Sequence, residues 1–273
     1  MIQKIIVWFI RFSPSSKRLF WRFWYNLFAR KSQQHSFRFM NYGYHEDGFS
    51  PALSKKDEGE RYPIQLYHHT ATQVDLSNAK LLEIGSGRGG GASYVQRCLN
   101  TKTVTGLDIS SDAVDLCKSS FDTLGLSFVQ GDSEKLPFSN DSFDVVLNIE
   151  SSHCYGNIES FLYEVGRVLK KNGSFLWCDF RTIDDMKILF DAFSTSGFLV
   201  EKEKDITPNI MRALDLLTPY RKDQIKSHVP RLIRGLFESY AGVNGGSVND
   251  AFLSGKLIYK SAALRAAEKQ LYL

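Results

Sequence analysis

The side chains best suited to chemistry fall in four short stretches whose order along the chain is informative. The first is Leu81-Leu82-Glu83-Ile84-Gly85-Ser86-Gly87-Arg88-Gly89-Gly90-Gly91, an apolar run that delivers an acid to a glycine-rich loop. Such glycines remove the side-chain wall, so backbone N–H groups approach a ligand closely, and a helix starting there adds its positive end. The second is Asp108, 19 residues past Gly89, placed to accept both hydroxyls of a ribose. The third holds Asp132 and Ser133, and the fourth runs from Asn148 to Tyr155 and contains His153. His153 takes a proton near neutral pH, and Asp179, 26 residues later, can hold the imidazole tautomer and stabilise its cation.

The glycines alone admit two cofactors. Gly85, Gly87 and Gly90 satisfy G-x-G-x-x-G, which keeps a dinucleotide open. Glu83, two residues before the first glycine, favours the cationic amino end of an amino-acid-bearing nucleoside and would repel a pyrophosphate.

Alternating elements must position these residues. Strands are expected at Lys80–Ile84, Thr103–Leu107, Leu126–Gln130, Phe143–Ile149 and Ser174–Phe180, with helices at Gly90–Leu99, Ser111–Leu124 and Ile158–Lys170 between them. A helix over Pro63–Val74 precedes them. A helix at Ile183–Ser194, a strand at Phe198–Lys204, helices from Asn209 to Tyr240 and a last strand, Lys256–Leu264, at the sheet edge follow. Such alternation predicts an α/β fold with a doubly wound, mostly parallel, seven-stranded sheet. The organisation reads as a cap over residues 1–61, a cofactor-binding domain over 62–273, and a helical lid insertion at about 205–250 before the last strand.

Gly131-Asp132-Ser133-Glu134-Lys135-Leu136-Pro137-Phe138, followed by Asp141-Ser142-Phe143-Asp144-Val145-Val146, resembles the third and fourth motifs of class I S-adenosylmethionine-dependent methyltransferases. Glu83, Gly85, Gly87 and Gly89 match that family's E/D-x-G-x-G-x-G, Asp108 its ribose-binding acid, and Asp132 the residue that receives the adenine amino group. The resemblance implies S-adenosyl-L-methionine as cofactor, a Rossmann-like fold, and further contacts from Ile109, Ser133, Asn148 and Tyr44. The Glu150-Ser151-Ser152-His153 segment with Asp179 is similar to sugar and natural-product O-methyltransferases that use a His/Asp pair. The bland alternative leaves His153 capping its loop and Asp179 bonded to backbone or Arg181. Glu150, Tyr155 and Tyr42 are candidate substrate contacts; His68 and His69 read as packing residues.

From about Trp21 to Ala266 the chain resembles the phthiotriol/phenolphthiotriol dimycocerosates methyltransferase family, which takes in fatty-acid O-methyltransferases. The match is carried by Leu66 to Leu76, Gly89 to Tyr94, and Asn148 to Tyr155. That implies O-methylation of a hydroxyl or carboxyl on a lipid-like or polyketide-like molecule. C- or N-methylation of a quinone, sterol or amine stays open, as does a non-catalytic cofactor-binding scaffold.

Composition narrows the partners. The 273 residues carry a net charge of +4, but residues 1–45 hold eight Lys or Arg and no Asp or Glu. Taking those eight from +4 leaves the remainder near −4, a poor surface for nucleic acid. No N/D-P-P-Y/F tetrad for a flipped base is present. Thirteen of the same 45 residues are aromatic, so residues 1–30 suit either packing on the core or peripheral contact with anionic lipid. The longest apolar run, Ile5 to Ile10, is far short of the roughly 20 residues that span a bilayer. The expectation is a cytoplasmic protein, bound at most peripherally to the membrane's inner face. Its four cysteines, Cys98, Cys117, Cys154 and Cys178, form no C-x-x-C pair, and no cluster has metal-ligand spacing. Oligomeric state is not encoded in any feature found.

Overall fold

The computed structural model describes residues 38–266 apart from 229–230, 232–233, 236–237 and 239–241. The expected N-terminal helices, with their proposed lipid contact, and much of the lid segment from Leu232 to Tyr240 lie outside the described residues.

Helix α1 (Arg61–Ala71) precedes β1 (Lys80–Ile84), α2 (Gly90–Cys98), β2 (Thr103–Asp108), α3 (Ser111–Ser120), β3 (Leu126–Gln130) and β4 (Phe143–Ile149). A short 3-10 turn, Ser152–Cys154, leads to α4 (Ile158–Val168), β5 (Leu169–Thr182), α5 (Ile183–Thr195) and β6 (Phe198–Asp205). Helices α6 (Thr207–His228) and α7 (Ser247–Leu253) precede β7 (Leu257–Ala266). The seven strands form one sheet in the order β3-β2-β1-β4-β5-β7-β6, with β7 antiparallel to both neighbours and the rest parallel. Strand order reverses beside β1, and the carboxyl ends of β1 and β4 there frame a crevice.

Side-chain alternation divides the core between the two faces. Leu81, Val104, Val145, Leu147 and Leu176 join Ile64, Val95, Val114, Ile210 and Leu214 on one face. Leu82, Ile84, Val146, Phe175 and Trp177 join Phe161, Val165, Leu189 and Phe193 on the other. The period of two therefore turns Glu83, like Leu81, toward α1.

Two expectations change. Helix α3 ends at Ser120 instead of Leu124, because Phe121 turns extended (φ −126°, ψ 106°) and its ring packs on Phe128. The last strand does not lie at the sheet edge but between β5 and β6. The physical reason is legible in β6, whose Glu201, Lys202, Glu203, Lys204 and Asp205 are all exposed, as suits an edge that resists further pairing. In β7, by contrast, Tyr259 and Ser261 through Leu264 are buried.

Candidate active site

The glycine loop leaves β1 by turning over the end of β2. The N–H groups of Gly85 and Ser86 both donate to the Leu107 carbonyl, at 2.8 and 2.9 Å. Gly85 has φ +77°, and a Cβ there would lie 2.5 Å from the Ser151 side chain, so only glycine lets the β4 loop close on β1. Asp108 ends β2 and accepts from Gly87 N–H at 2.8 Å and from Ser110 N–H at 2.9 Å. Gly85, Gly87, Asp108, Ile109, Asp132 and Ser133 line one crevice; Gly89 instead caps α2. Asp132 also accepts from Glu134 N–H at 2.9 Å, so it forms the turn while lining the crevice.

Glu83 is buried against α1, where the Tyr67 hydroxyl donates to its Oε1 at 2.6 Å. Its Oε2 is buried with no hydrogen-bond partner. Burial pushes its pKa up to about 8, against the Tyr67 hydrogen bond, and the Asp108 charge adds to the rise. Burial likewise raises Asp108. A buried Glu83 and a half-buried Asp108 with spare acceptor capacity disfavour a pyrophosphate and suit a cationic amino group and ribose hydroxyls. The donor set thus fits an adenosine bearing a cationic amino acid.

At the end of β4 the chain makes the crevice's second wall, with Glu150, Ser151, Cys154 and Tyr155 lining it. Asn148 Nδ2 donates to the Ile84 carbonyl at 3.0 Å, to Ser151 Oγ at 2.8 Å and to the Tyr155 hydroxyl at 3.0 Å. His153 lies beside this wall without lining the crevice; its Nδ1 is 2.9 Å from Asp179 Oδ1, and its ring packs on Phe180 at 4.7 Å. Asp179 also accepts from Ser152 Oγ, the His153 N–H and the Phe180 N–H, and pairs with Arg181 at 3.1 Å. The pairing and the loop-anchoring alternatives therefore both hold. Burial by itself would lower the His153 pKa, but Cys154 and Asp179 outweigh it and raise the value well above the histidine norm. Burial would raise Asp179, but His153 and Arg181 hold it well below the usual carboxylate range. Each partner thus favours the other's charged form, His153 toward imidazolium and Asp179 toward carboxylate, which leaves the imidazole less available as a base.

Glu83, like Gly89 and His153, is not part of the crevice lining, being buried behind it on β1, and three further expected contacts are placed elsewhere. Asn148 does not line the crevice, because all its amide donors are spent pinning the β4 loop to β1. Tyr44 is fully buried, stacked on His69 at 4.4 Å with its hydroxyl donating to Glu46, and it turns away from the crevice. The Tyr42 ring packs on Phe180 and Phe252 outside the crevice, while its backbone N–H donates to Glu150 Oε1 at 2.8 Å. His68 and His69 bond to Tyr94 and Ser261 within the fold.

Some residues escaped the motifs. Arg38, Phe39, Met40 and Asn41 cross the crevice as a strap. Arg38 ties it down through Glu60 and Asp57, Asn41 donates to the Pro63 carbonyl at 3.2 Å, and Arg221 from α6 donates to the Asn41 carbonyl at 2.8 Å. Tyr67 sits in the Leu66–Leu76 segment already marked by resemblance, whereas Arg221 carries no local signal. Among the described residues no group of three His, Cys, Asp or Glu is arranged to hold a metal.

A methyltransferase-domain family profile matches residues 82–177. The chain is 38% identical over 241 residues to a phthiotriol/phenolphthiotriol dimycocerosates methyltransferase of Mycobacterium leprae, covering 88% of this chain and 89% of that one. It is 38% identical over 217 residues to a fatty-acid O-methyltransferase of Mycolicibacterium smegmatis, covering 79% of each. The fold is shared with a geranyl diphosphate C-methyltransferase from Streptomyces coelicolor (TM-score 0.63, 15% identity, 89% of this chain and 98% of that one). With the relatives matched over most of their length and the crevice built as described, the chain belongs to the phthiotriol/phenolphthiotriol dimycocerosates methyltransferase family and is an S-adenosylmethionine-dependent methyltransferase.

Proposed function

We propose that this chain methylates an oxygen, hydroxyl or carboxyl, on a lipid-like or polyketide-like molecule. The names of its relatives, one acting on phthiotriol-type lipids and one on fatty acids, support that acceptor class. When bound, S-adenosylmethionine supplies a methyl group already activated on sulfonium sulfur. The protein's task is then alignment and proton removal. Glu83 would face the amino group, Asp108 the ribose, and Asp132 with Ser133 the adenine, with Ile109 against the base. Tyr155 and Glu150 would meet the acceptor, and His153, fixed by Asp179 beside that wall, would hold the loop that presents them.

The observation that carries the proposal is the shared crevice: a half lined by Asp108 at the end of β2 and Asp132 after β3 meets the Glu150–Tyr155 wall from β4. Beside that wall the rings of Phe180, Tyr42 and Phe252 make an apolar flank suited to a greasy acceptor. On this reading residues 1–61 act as a cap and the segment at about 205–250 as a roof that keeps water from the transfer step. Among the described residues no helix is long and apolar enough to cross a membrane. The basic, aromatic composition of residues 1–30 suits either packing on the core or contact with the lipid face from which such an acceptor would be drawn.

Incubating the purified protein with methyl-labelled S-adenosylmethionine and a lipid extract tests the proposal. Label in a base-labile ester or a stable ether supports it. Label on carbon or nitrogen overturns the oxygen assignment, and tight cofactor binding without transfer marks a scaffold.

A further inference from the structure

We infer that Glu150 takes the proton from the acceptor, and that the preferred acceptor is therefore an un-ionised alcohol and not a carboxylate. This inference rests on the oxygen-methylation reading and narrows it.

Glu150 follows directly on β4 and lines the crevice that His153 does not line. Its backbone is held at φ +45°, a left-handed conformation that a non-glycine residue adopts at a cost of about 1–3 kcal/mol. Two contacts keep it there: the Glu150 N–H donates to the Cys178 carbonyl at 2.9 Å, and the carboxylate is grasped from two other elements. The Tyr42 N–H of the strap and the Tyr259 hydroxyl of β7 donate to Oε1 at 2.8 and 2.9 Å. Both donors converge on one oxygen, leaving Oε2 as the oxygen that no described residue engages. A crevice-lining side chain strained into place and oriented through one oxygen keeps its second oxygen for chemistry.

The charges around it tune the group. Burial raises its pKa to about 7, opposed by the Tyr42 and Tyr259 hydrogen bonds, with Asp179 of β5 raising it and His153 of the 3-10 turn lowering it. Arg221 of α6, Tyr67 of α1 and Cys178 of β5 also act electrostatically with it. A carboxylate with such a value accepts a proton near neutral pH more readily than an ordinary Glu, whereas His153 is held toward its protonated form.

The step balances without a further reactant. A lone pair on the alcohol oxygen forms the new O–CH₃ bond, the S–CH₃ bond breaks with its electrons staying on sulfur, and the hydroxyl proton passes to Glu150 Oε2. Loss of that proton to solvent restores the carboxylate. A fatty carboxylate has no proton to give up at neutral pH and would meet an ionised Glu150 as a like charge.

The test uses a long-chain alcohol and the fatty acid of equal length, wild type, Glu150→Gln and Tyr259→Phe. Wild type should methylate the alcohol faster, with kcat rising with pH through an apparent value near 7. Glu150→Gln should lower kcat on the alcohol by about 10²-fold or more and abolish that limb. Tyr259→Phe, losing a donor to the carboxylate, should shift the limb to higher pH. In the cofactor-free enzyme, carbon-13-labelled glutamate carboxyls should show two signals titrating near neutrality, one removed by Glu150→Gln and the other by Glu83→Gln, a readout independent of turnover. Unchanged alcohol kcat and pH limb in Glu150→Gln, loss of the limb only in His153→Asn, or preference for the acid each overturns the inference while sparing oxygen methylation. Transfer only to carbon overturns both.

Discussion

Tyr67 and Glu83 form a buried pair at the back of the crevice, which Tyr67 lines. The phenol donates to Glu83 Oε1 at 2.6 Å, and the Tyr67 ring occupies the place where a Cβ on Gly91 would stand, 1.9 Å from the nearest ring carbon. Glycine at the start of α2 thus lets α1 approach, and α1 brings the hydroxyl that orients the acid.

Cofactor affinity should depend on pH through Glu83. With its pKa raised to about 8, the acid is largely protonated in the free enzyme at pH 7 and must ionise to hold an ammonium group. Affinity should therefore rise between about pH 6 and 8 and level off above. Calorimetry in two buffers of different ionisation enthalpy should detect proton release on binding at pH 7. Equal heats would contradict this placement.

Removing the acid should separate affinity from stability. Glu83→Gln should weaken cofactor binding by about 1.5–3 kcal/mol, the range for a hydrogen bond to a charged group. An acid whose folded pKa is raised makes the protein less stable as pH climbs from the unfolded value toward the folded one. The cofactor-free variant should therefore match or exceed wild-type Tm at pH 8, as differential scanning calorimetry would show.

Asp108→Ala should cost more than a ribose contact. Both carboxylate oxygens accept backbone N–H groups, one from Gly87 and one from Ser110, so truncation also frees the glycine loop. A loss of about 2–3 kcal/mol in cofactor affinity, with faster amide exchange at Gly87, is expected. Native affinity would refute the assignment.

Asp179→Asn should be strongly destabilising, by about 3–5 kcal/mol in urea titration, because it leaves His153 and Arg181 beside a neutral amide in a buried setting. The raised His153 contributes fully below the ordinary histidine value and loses its contribution as pH climbs through the folded pKa. The depressed Asp179 contributes fully above the ordinary aspartate value and loses its contribution as pH falls through its folded pKa. The gap between wild type and variant should peak at about pH 4–6.5 and shrink on both sides.

Deleting residues 1–15 should lower co-sedimentation with anionic vesicles and leave cofactor affinity unchanged. Equal sedimentation would return those residues to a packing role.

The cofactor half of the crevice was legible because its signals are local. Glu83, the glycines and Asp108 sit at strand ends whose apolar runs announce themselves, and the period of two decides which way each side chain turns. What escaped depends on distant approach. The strap at Arg38–Asn41 is held by Glu60, Pro63 and Arg221, residues 22 to 180 positions away, and no single window contains both partners. Tyr44 is expected as a ligand contact only by resemblance, and the stacking on His69, which no local pattern announces, turns it into the fold. The position of β7 was readable in hindsight from charge, since β6 carries the exposed charged run of an edge. An antiparallel return still has two slots beside β5, and periodicity does not choose between them.

Because β7 is threaded between β5 and β6, the sheet remains open during synthesis until residues 257–266 have left the ribosome. Until then the β5 flank has bare N–H and C=O groups, and the Tyr259 hydroxyl that steadies Glu150 is missing. Truncation just before residue 257 should thus yield a sticky, unfinished sheet instead of a smaller working enzyme.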